Sequence, residues 1–317
     1  MKALVTGGAG FIGSTLVDRL LAEGHAVDVV DDLSTGSLAN LAAARADRGN
    51  QLTFHQLDIR QPGTIDLIAR RAPEVVFHLA AQMSVRESVA RPAYDAEINI
   101  IGGLNVLEGA RQGKSRKIVF ASSGGTIYGA ADARALPLKE SQPQRPLSPY
   151  GIAKKAFSDY LHAYRELYGL EYTSLALANI YGPRQDPHGE AGVVAIFAGH
   201  LLNGEPCTVF GDGSKTRDYV FVDDVVDAFV RAADKAGGLL CNIGTGVQTS
   251  DLQLYETMAQ AAGVTDPPQF APDRPGDLQH SCLDPGRAEI HLGWKPWTKL
   301  DDGVGAVLRY FRDKKNA

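Results

Sequence analysis

The chain has 317 residues, 44% of them apolar and 22% charged, with 34 glycines and a net charge of −5, an ordinary balance for a soluble α/β protein with a large core. It lacks the basic footprint of a nucleic-acid-binding surface, and no apolar run reaches the ~18 residues of a membrane span, so neither nucleic acid nor membrane is an expected partner. Cys207, Cys241 and Cys282 are odd in number, far apart and without C-x-x-C spacing, which predicts buried free thiols in a reducing cytosol. The eight histidines show no ligand spacing, so no metal is expected. A strand pattern at the very start predicts no signal peptide ahead of it, in keeping with a cytoplasmic protein.

Ala3, Leu4 and Val5 read as a buried strand, after which Gly7, Gly10 and Gly13 fall at G-x-x-G-x-x-G spacing. Phe11, Leu16, Leu20 and Leu21 then recur at helix spacing, and Gly24 supplies the stop. Glycine-rich turns between strand and helix also serve as plain tight turns. In this order, however, they make the helix N-terminus an anion site whose free N–H groups face a pyrophosphate. A second strand from Ala26 ends in Asp31-Asp32, where a carboxylate suits the ribose hydroxyls of NAD and repels the extra phosphate of NADP. Strand, spacing, helix, second strand and acid together predict dinucleotide binding.

Strand patterns over 2–6, 26–31, 52–57, 74–79, 117–122 and 172–177 alternate with helical ones. The alternation predicts a doubly wound parallel sheet of Rossmann type, with ligands at the carboxyl ends of its strands. Asp58 ends the third strand, either as a turn cap or as a partner for an adenine amino group. His78-Leu79-Ala80-Ala81-Gln82 ends the fourth, where small residues let a cofactor lie against the backbone or simply pack a helix. His78, inside the strand pattern, reads as a core histidine. Asn99 sits in a helical stretch over 93–112, whose Leu104, Val106, Leu107 and Ala110 form an apolar side for core or dimer contacts.

The fifth strand runs into Ser122-Ser123-Gly124-Gly125-Thr126-Ile127-Tyr128-Gly129, hydroxyls that can cap a turn. After a polar, proline-rich loop (130–148), Pro149 opens a helix that places Tyr150 and Lys154 one turn apart on one face. A tyrosine must lose roughly three pKa units, about 4 kcal/mol, to act as a base near pH 7. A cation ~4 Å away at an effective dielectric of ~20 supplies about that much. Lys154, assisted by an oxidised nicotinamide, therefore makes Tyr150 a working base, whereas a plain surface Tyr/Lys pair is the alternative.

Together these residues resemble the extended short-chain dehydrogenase/reductase superfamily, in its NAD-dependent nucleotide-sugar epimerase/dehydratase branch, over essentially the whole chain. The motifs are TGGAGFIG (6–13), HLAAQ (78–82), SSGGTIYG (122–129), YGIAK (150–154), NIYGPRQ (179–185), GDGSKTRDYVFVDDVVDA (211–228) and RPGD (274–277). The resemblance implies that Tyr150, Lys154 and a strand-end hydroxyl are catalytic. Many relatives carry that hydroxyl where Gly124 stands here, and the S-S-G-G turn looks one residue longer, so the role falls to Ser123. NAD contacts are implied for Gly7, Gly10, Phe11, Ile12, Gly13, Asp31, Asp58, Ile59, Leu79, Ala80, Ala81 and Asn99, with Tyr150 and Lys154. Sugar-nucleotide contacts are implied for Ser84, Ser122, Ser123, Thr126, Tyr150, Asn179, Arg184, Val193 and Phe210. Arg217, Arg274 and Asp277 complete that set, the two arginines as a clamp on the diphosphate.

The implied reaction is 4-epimerisation of a UDP-hexose through a transient 4-keto sugar, UDP-glucose/UDP-galactose first and UDP-glucuronate/UDP-galacturonate as the alternative. Relatives that dehydrate their substrate look to need an Asp-Glu pair where Gly124-Gly125 stands, so dehydration is disfavoured. So is decarboxylation, whose branch carries an acid in the same turn. A non-catalytic NAD sensor is an alternative of another class, and so is an oxidoreductase that consumes nicotinamide. Arg184 either meets a C6 carboxylate or is a structural charge. Ser281 stands where some relatives carry a bulky tyrosine, leaving room for an N-acetyl sugar. Residues 1–178 with 219–245 are expected to form the NAD-binding domain, and 179–218 with 246–317 a smaller α/β substrate domain. A homodimer through the helices around 93–112 and 150–167 is also implied.

Overall fold

The computed structural model describes residues 1–130, 132–187, 192–273 and 278–316. The strands are β1 (Lys2–Thr6), β2 (Ala26–Asp31), β3 (Leu52–Gln56), β4 (Val75–His78), β5 (Lys117–Ser123), β6 (Glu171–Leu177), β7 (Asn179–Tyr181), β8 (Thr208–Phe210), β9 (Thr216–Arg217), β10 (Tyr219–Phe221), β11 (Leu239–Ile243), β12 (Thr249–Ser250) and β13 (Gln269–Ala271). The main sheet has seven parallel strands in the order β11-β6-β5-β4-β1-β2-β3. All six strands expected from the sequence lie in it, each within about two residues of its expected bounds.

Alternation along the strands explains the layers. Ala3 and Val5, Val75 and Phe77, and Val119 feed one core; Leu4, Val76, Ile118 and Phe120 feed another on the opposite face. A sheet buried on both sides needs apolar residues at successive positions and helices over each face. Helices α1 (Phe11–Ala22), α2 (Ala42–Arg48), α3 (Gly63–Arg71), α4 (Val85–Ala90), α5 (Pro92–Ala96), α6 (Gly103–Gln112), α7 (Gly124–Ile127) and α8 (Pro149–Tyr168) follow in order. Leu16, Val17 and Leu20 of α1 close the first core, and Ile68 of α3, Val106 of α6 and Phe157 of α8 the second. The expected helix over 93–112 is broken: α5 and α6 flank a π-helical turn at Glu97–Gly102. Val106, Leu107 and Ala110 lie inside the core, so the apolar side of α6 serves packing.

The rest of the chain is less regular. It carries α9 (Val193–Asn203), α10 (Val222–Ala232), α11 (Asp251–Ala262), α12 (Gly286–Leu292) and α13 (Leu300–Asn316), with two-stranded pairs β7/β10, β8/β13 and β9/β12. β11 returns to the main sheet beside β6, and α10 packs on α1. Asp218 ties the two parts together, accepting hydrogen bonds from Thr245 N and Oγ1 (2.8 and 2.6 Å), Gly246 N and Leu283 N. The first core continues without a break into Leu254, Trp294, Val304 and Val307.

Candidate active site

Between β1 and β4 the strand order reverses, and this is where an open parallel sheet offers a crevice at its carboxyl edge. The glycine turn lies there. Gly7 adopts φ 70°, and a Cβ on Gly13 would sit 2.1 Å from the Gly7 carbonyl oxygen, so the turn closes only without side chains. Helix α1 starts at Gly10, which offers no capping side chain, and its first turn holds no acid. Its first N–H groups are thereby left for an anion. At the end of β2, Asp31 accepts hydrogen bonds from Ala9 N and Leu33 N, both 2.9 Å. Burial pushes its carboxyl above the ordinary value and these donors pull it back.

Thr6 connects the two walls of the crevice. Its Oγ1 accepts from Leu79 N and Ala80 N, both 3.2 Å, and pairs with His78 Nδ1 at 2.8 Å. Burial pushes His78 down to about 3, so it is a neutral core histidine between Phe120 and Phe157. Asn99, in the π-helical turn, grips Gln82: its Nδ2 donates to Gln82 O (2.9 Å) and its Oδ1 accepts from Gln82 N (3.0 Å). A π turn inside a helix commonly marks a functional site. It gives no periodicity signal that a sequence would reveal.

Ser148 caps α8 by accepting from Gly151 N (3.2 Å), and Pro149 occupies the first turn. The cap fixes where Tyr150 and Lys154 emerge. Ser123 is the hydroxyl that acts on the Tyr150 phenol, and Lys154, 3% exposed, donates to Ala121 O at 2.9 Å. Its Nζ lies 5.6 Å from the centre of the Tyr150 ring and 4.8 Å from that of Phe120. Burial pushes the phenol up to about 12, while the Ser123 hydrogen bond acts the other way. Burial lowers the lysine to about 8, which leaves it mostly charged at pH 7. Ser122 Oγ is buried without a partner, and Thr126 Oγ1 donates to Ser123 O at 3.4 Å. Among the three hydroxyls, Ser123 is the one that acts on the Tyr150 phenol.

The remaining expected site residues scatter more widely. Asp58 is engaged by Arg60, whose Nε and Nη2 lie at 2.9 and 2.6 Å, and accepts from Arg60 N, an arrangement that fits the turn cap. Ile59 is buried under the π turn, where a Cβ on Gly102 would meet its Cγ1 at 2.7 Å. Ser84 caps α4 through Glu87 N (3.0 Å). Asn179 opens β7, Val193 opens α9 and Phe210 ends β8. Arg217 donates from Nη1 to Thr216 O (2.8 Å), and Ser281 N donates to the same carbonyl. Arg184, at φ 70°, is turned to α1, with Nη2 2.7 Å from Asp18 Oδ2 and Nη1 3.2 Å from Ser14 Oγ. Its guanidinium is thus paired as a structural charge. Arg274 and Asp277 lie outside the described residues.

The uncapped α1 N-terminus, the glycine cradle and the Asp31 carboxylate suit a dinucleotide with free ribose hydroxyls. The profile of the NAD dependent epimerase/dehydratase family matches residues 3–244. The chain is 52% identical to the UDP-glucose 4-epimerase of Mycolicibacterium smegmatis over 315 residues, 99% of each chain. It is similar to the crystal structure of UDP-glucose 4-epimerase with UDP-glucose from Thermotoga maritima, at 45% identity and TM-score 0.95, over 99% of this chain and 100% of that one. The Thermus thermophilus UDP-glucose 4-epimerase, solved in complex with NAD, gives 43% identity and TM-score 0.91 over 98% and 99%.

Proposed function

We propose, from the premise that the chain belongs to the NAD dependent epimerase/dehydratase family, that it is an NAD-dependent isomerase inverting C4 of a UDP-hexose, with UDP-glucose and UDP-galactose as the pair. The observation that carries this reading is Tyr150 with the buried Lys154 one turn along α8 and the Ser123 hydroxyl acting on the phenol. NAD, when bound, takes up a hydride and returns it, so the cycle ends with no net oxidation. Tyr150 removes the proton of the C4 hydroxyl, and Ser123 relays it and holds the oxygen of the 4-keto sugar. The charged Lys154 lowers the cost of the phenolate. Positioning supplies much of the acceleration, because base, hydroxyl and cation are fixed before substrate arrives.

The keto sugar loses no water before the hydride returns, because the Gly124-Gly125 turn supplies no second acid. Gly124 presses against Leu283, whose Cδ1 a Cβ would meet at 2.3 Å, so an Asp there would displace the turn. Asn179 and Arg217 form the nucleotide-diphosphate side of the site. The ion pair of Arg184 with Asp18 favours a neutral hexose over a uronate. Ser281, small and buried, leaves room for an N-acetyl group.

Protein without added NAD, incubated separately with UDP-glucose, UDP-glucuronate and UDP-N-acetylglucosamine, tests this by NMR of C4. An equilibrium mixture of C4 epimers from UDP-glucose, with no lasting change in nicotinamide absorbance, is the expected result. Failure of all three after NAD is supplied would refute it and favour the sensor.

A homodimer is part of this reading. Val89, Ile101, Ile152 and Tyr160 are exposed where α4, the π turn and α8 pack together. Such grouped apolar residues usually mark an interface. Light scattering should give twice the chain mass for the native protein and the single mass for Ile101→Lys with Ile152→Lys; a native monomer at micromolar concentration removes the dimer. Cytoplasmic placement rests on the three cysteines, all buried and free. No helix among the described residues is long and apolar enough to cross a membrane.

A further inference from the structure

Helix α5 packs against α8 and brings a carboxylate toward the base. Asp95 is 1% exposed. Its Oδ1 accepts from Gln82 Nε2 (2.8 Å) and Asn99 Nδ2 (2.9 Å), whereas Oδ2 is buried with no partner at all. A buried carboxylate with one unpaired oxygen is costly unless a positive charge nearby offsets it. Burial pushes the Asp95 carboxyl above its ordinary value; the Gln82 and Asn99 hydrogen bonds and the charge of Lys154, buried one turn from Tyr150, pull it back. Resting on the catalytic reading of Tyr150 and Lys154, we propose that Asp95 is a positioning residue: its carboxylate is the counter-charge that keeps the Lys154 ammonium charged in the closed site, and Gln82 and Asn99 fix it by ligating Oδ1 alone.

The surroundings leave this role to Asp95. The elements against this part of α8 bring His78 from β4, Tyr94 and Asp95 from α5, Arg86 and Glu87 from α4, and Glu97 from the π turn; this end of β5 and α7 bring only hydroxyls. His78 is neutral, Glu87 pairs with Arg91, Tyr94 stacks with Arg60 and Arg91, and Glu97 faces solvent. Asp95 raises Lys154 and, less usefully, also raises Tyr150. Without it, burial alone would press the lysine toward its neutral form, and a neutral lysine cannot assist the phenolate.

The network makes Asp95→Asn a nearly pure loss of charge, since Asn keeps an oxygen at the Oδ1 position for both donors. Removing a negative charge lowers the pKa of a neighbouring lysine and of a neighbouring phenol alike. Both limbs of the kcat/KM pH profile, which report Tyr150 and Lys154 together, should therefore move to lower pH by about one unit. Asp95→Glu, which keeps the charge, should hold both limbs at or above their native positions. A drop in kcat with the limbs of Asp95→Asn unmoved would overturn the proposal and leave a structural role. If Asp95→Asn does not fold, Asp95→Glu decides, and limbs that fall in that variant also overturn it. A phenolate titration, taken as the ultraviolet difference from Tyr150→Phe, reads the same downward shift without substrate. It thus separates failure of this proposal from failure of the epimerase reading.

Discussion

Tyr150→Phe is expected to lower kcat by about 10²–10⁴-fold, the range a positioned acid–base group supplies. NAD content and UDP-sugar affinity should stay close to native, because the ring keeps its place on α8 and loses only the phenol oxygen. The loss falls on the step in which a proton leaves the C4 hydroxyl. The size follows from the neighbourhood among the described residues: Lys154 is committed to Ala121 O, His78 is neutral and bonded to Thr6, and Asp95 is held by Gln82 and Asn99. Steady-state kinetics together with equilibrium UDP-sugar binding check it. Turnover at the native level would mean that another group does the proton transfer.

Gly13→Ala is expected to abolish retention of NAD and to destabilise the fold. The added carbon would fall 2.1 Å from Gly7 O, 2.8 Å from Gly7 C and 2.9 Å from Gly8 Cα, all backbone atoms that no rotamer change can move. Either the turn opens or α1 slides, and both displace the N–H groups that face the pyrophosphate. Overpacking of this kind costs about 1–3 kcal/mol, which a thermal melt should register as a lower Tm. Nucleotide released on denaturation, measured by its absorbance, should fall to near zero. Gly199→Ala is the control: it lies in α9 with no atom within 4 Å of the new carbon, and gains about 0.5–1 kcal/mol from helix propensity. A Gly13→Ala protein that copurifies with a full complement of NAD would refute the assignment of this turn.

The sheet was legible because a strand buried on both faces must be apolar at successive positions, as Val75-Val76-Phe77 is. The glycine turn was legible for a related reason: Gly13 has no room for any other side chain. The Tyr150–Lys154 pair followed from helix spacing after a proline, a local property. Ser123 was assigned through the resemblance, since Ser122 and Ser123 are chemically alike and local pattern does not distinguish them. Asp95 and Gln82 were missed. Their role depends on the π turn that brings Asn99 against both, and an extra residue in a helical turn leaves a pattern that still reads as one helix over 93–112. For Arg184 the sequence left a sugar contact and a structural charge both open, because its partner Asp18 is distant in the chain.

The apolar cluster that runs from Leu16 on α1 through Val225 on α10 to Trp294 and Val307 has a consequence for engineering. The half of the chain after Asn179 is not a cartridge that can be exchanged between relatives, since a graft would join two mismatched interiors at that seam. A new sugar preference is better sought in single replacements, at Ser281 or Gly125. For the same reason the molecule should melt as one calorimetric unit, and a fragment ending near residue 178 would leave the greasy face of α1 bare.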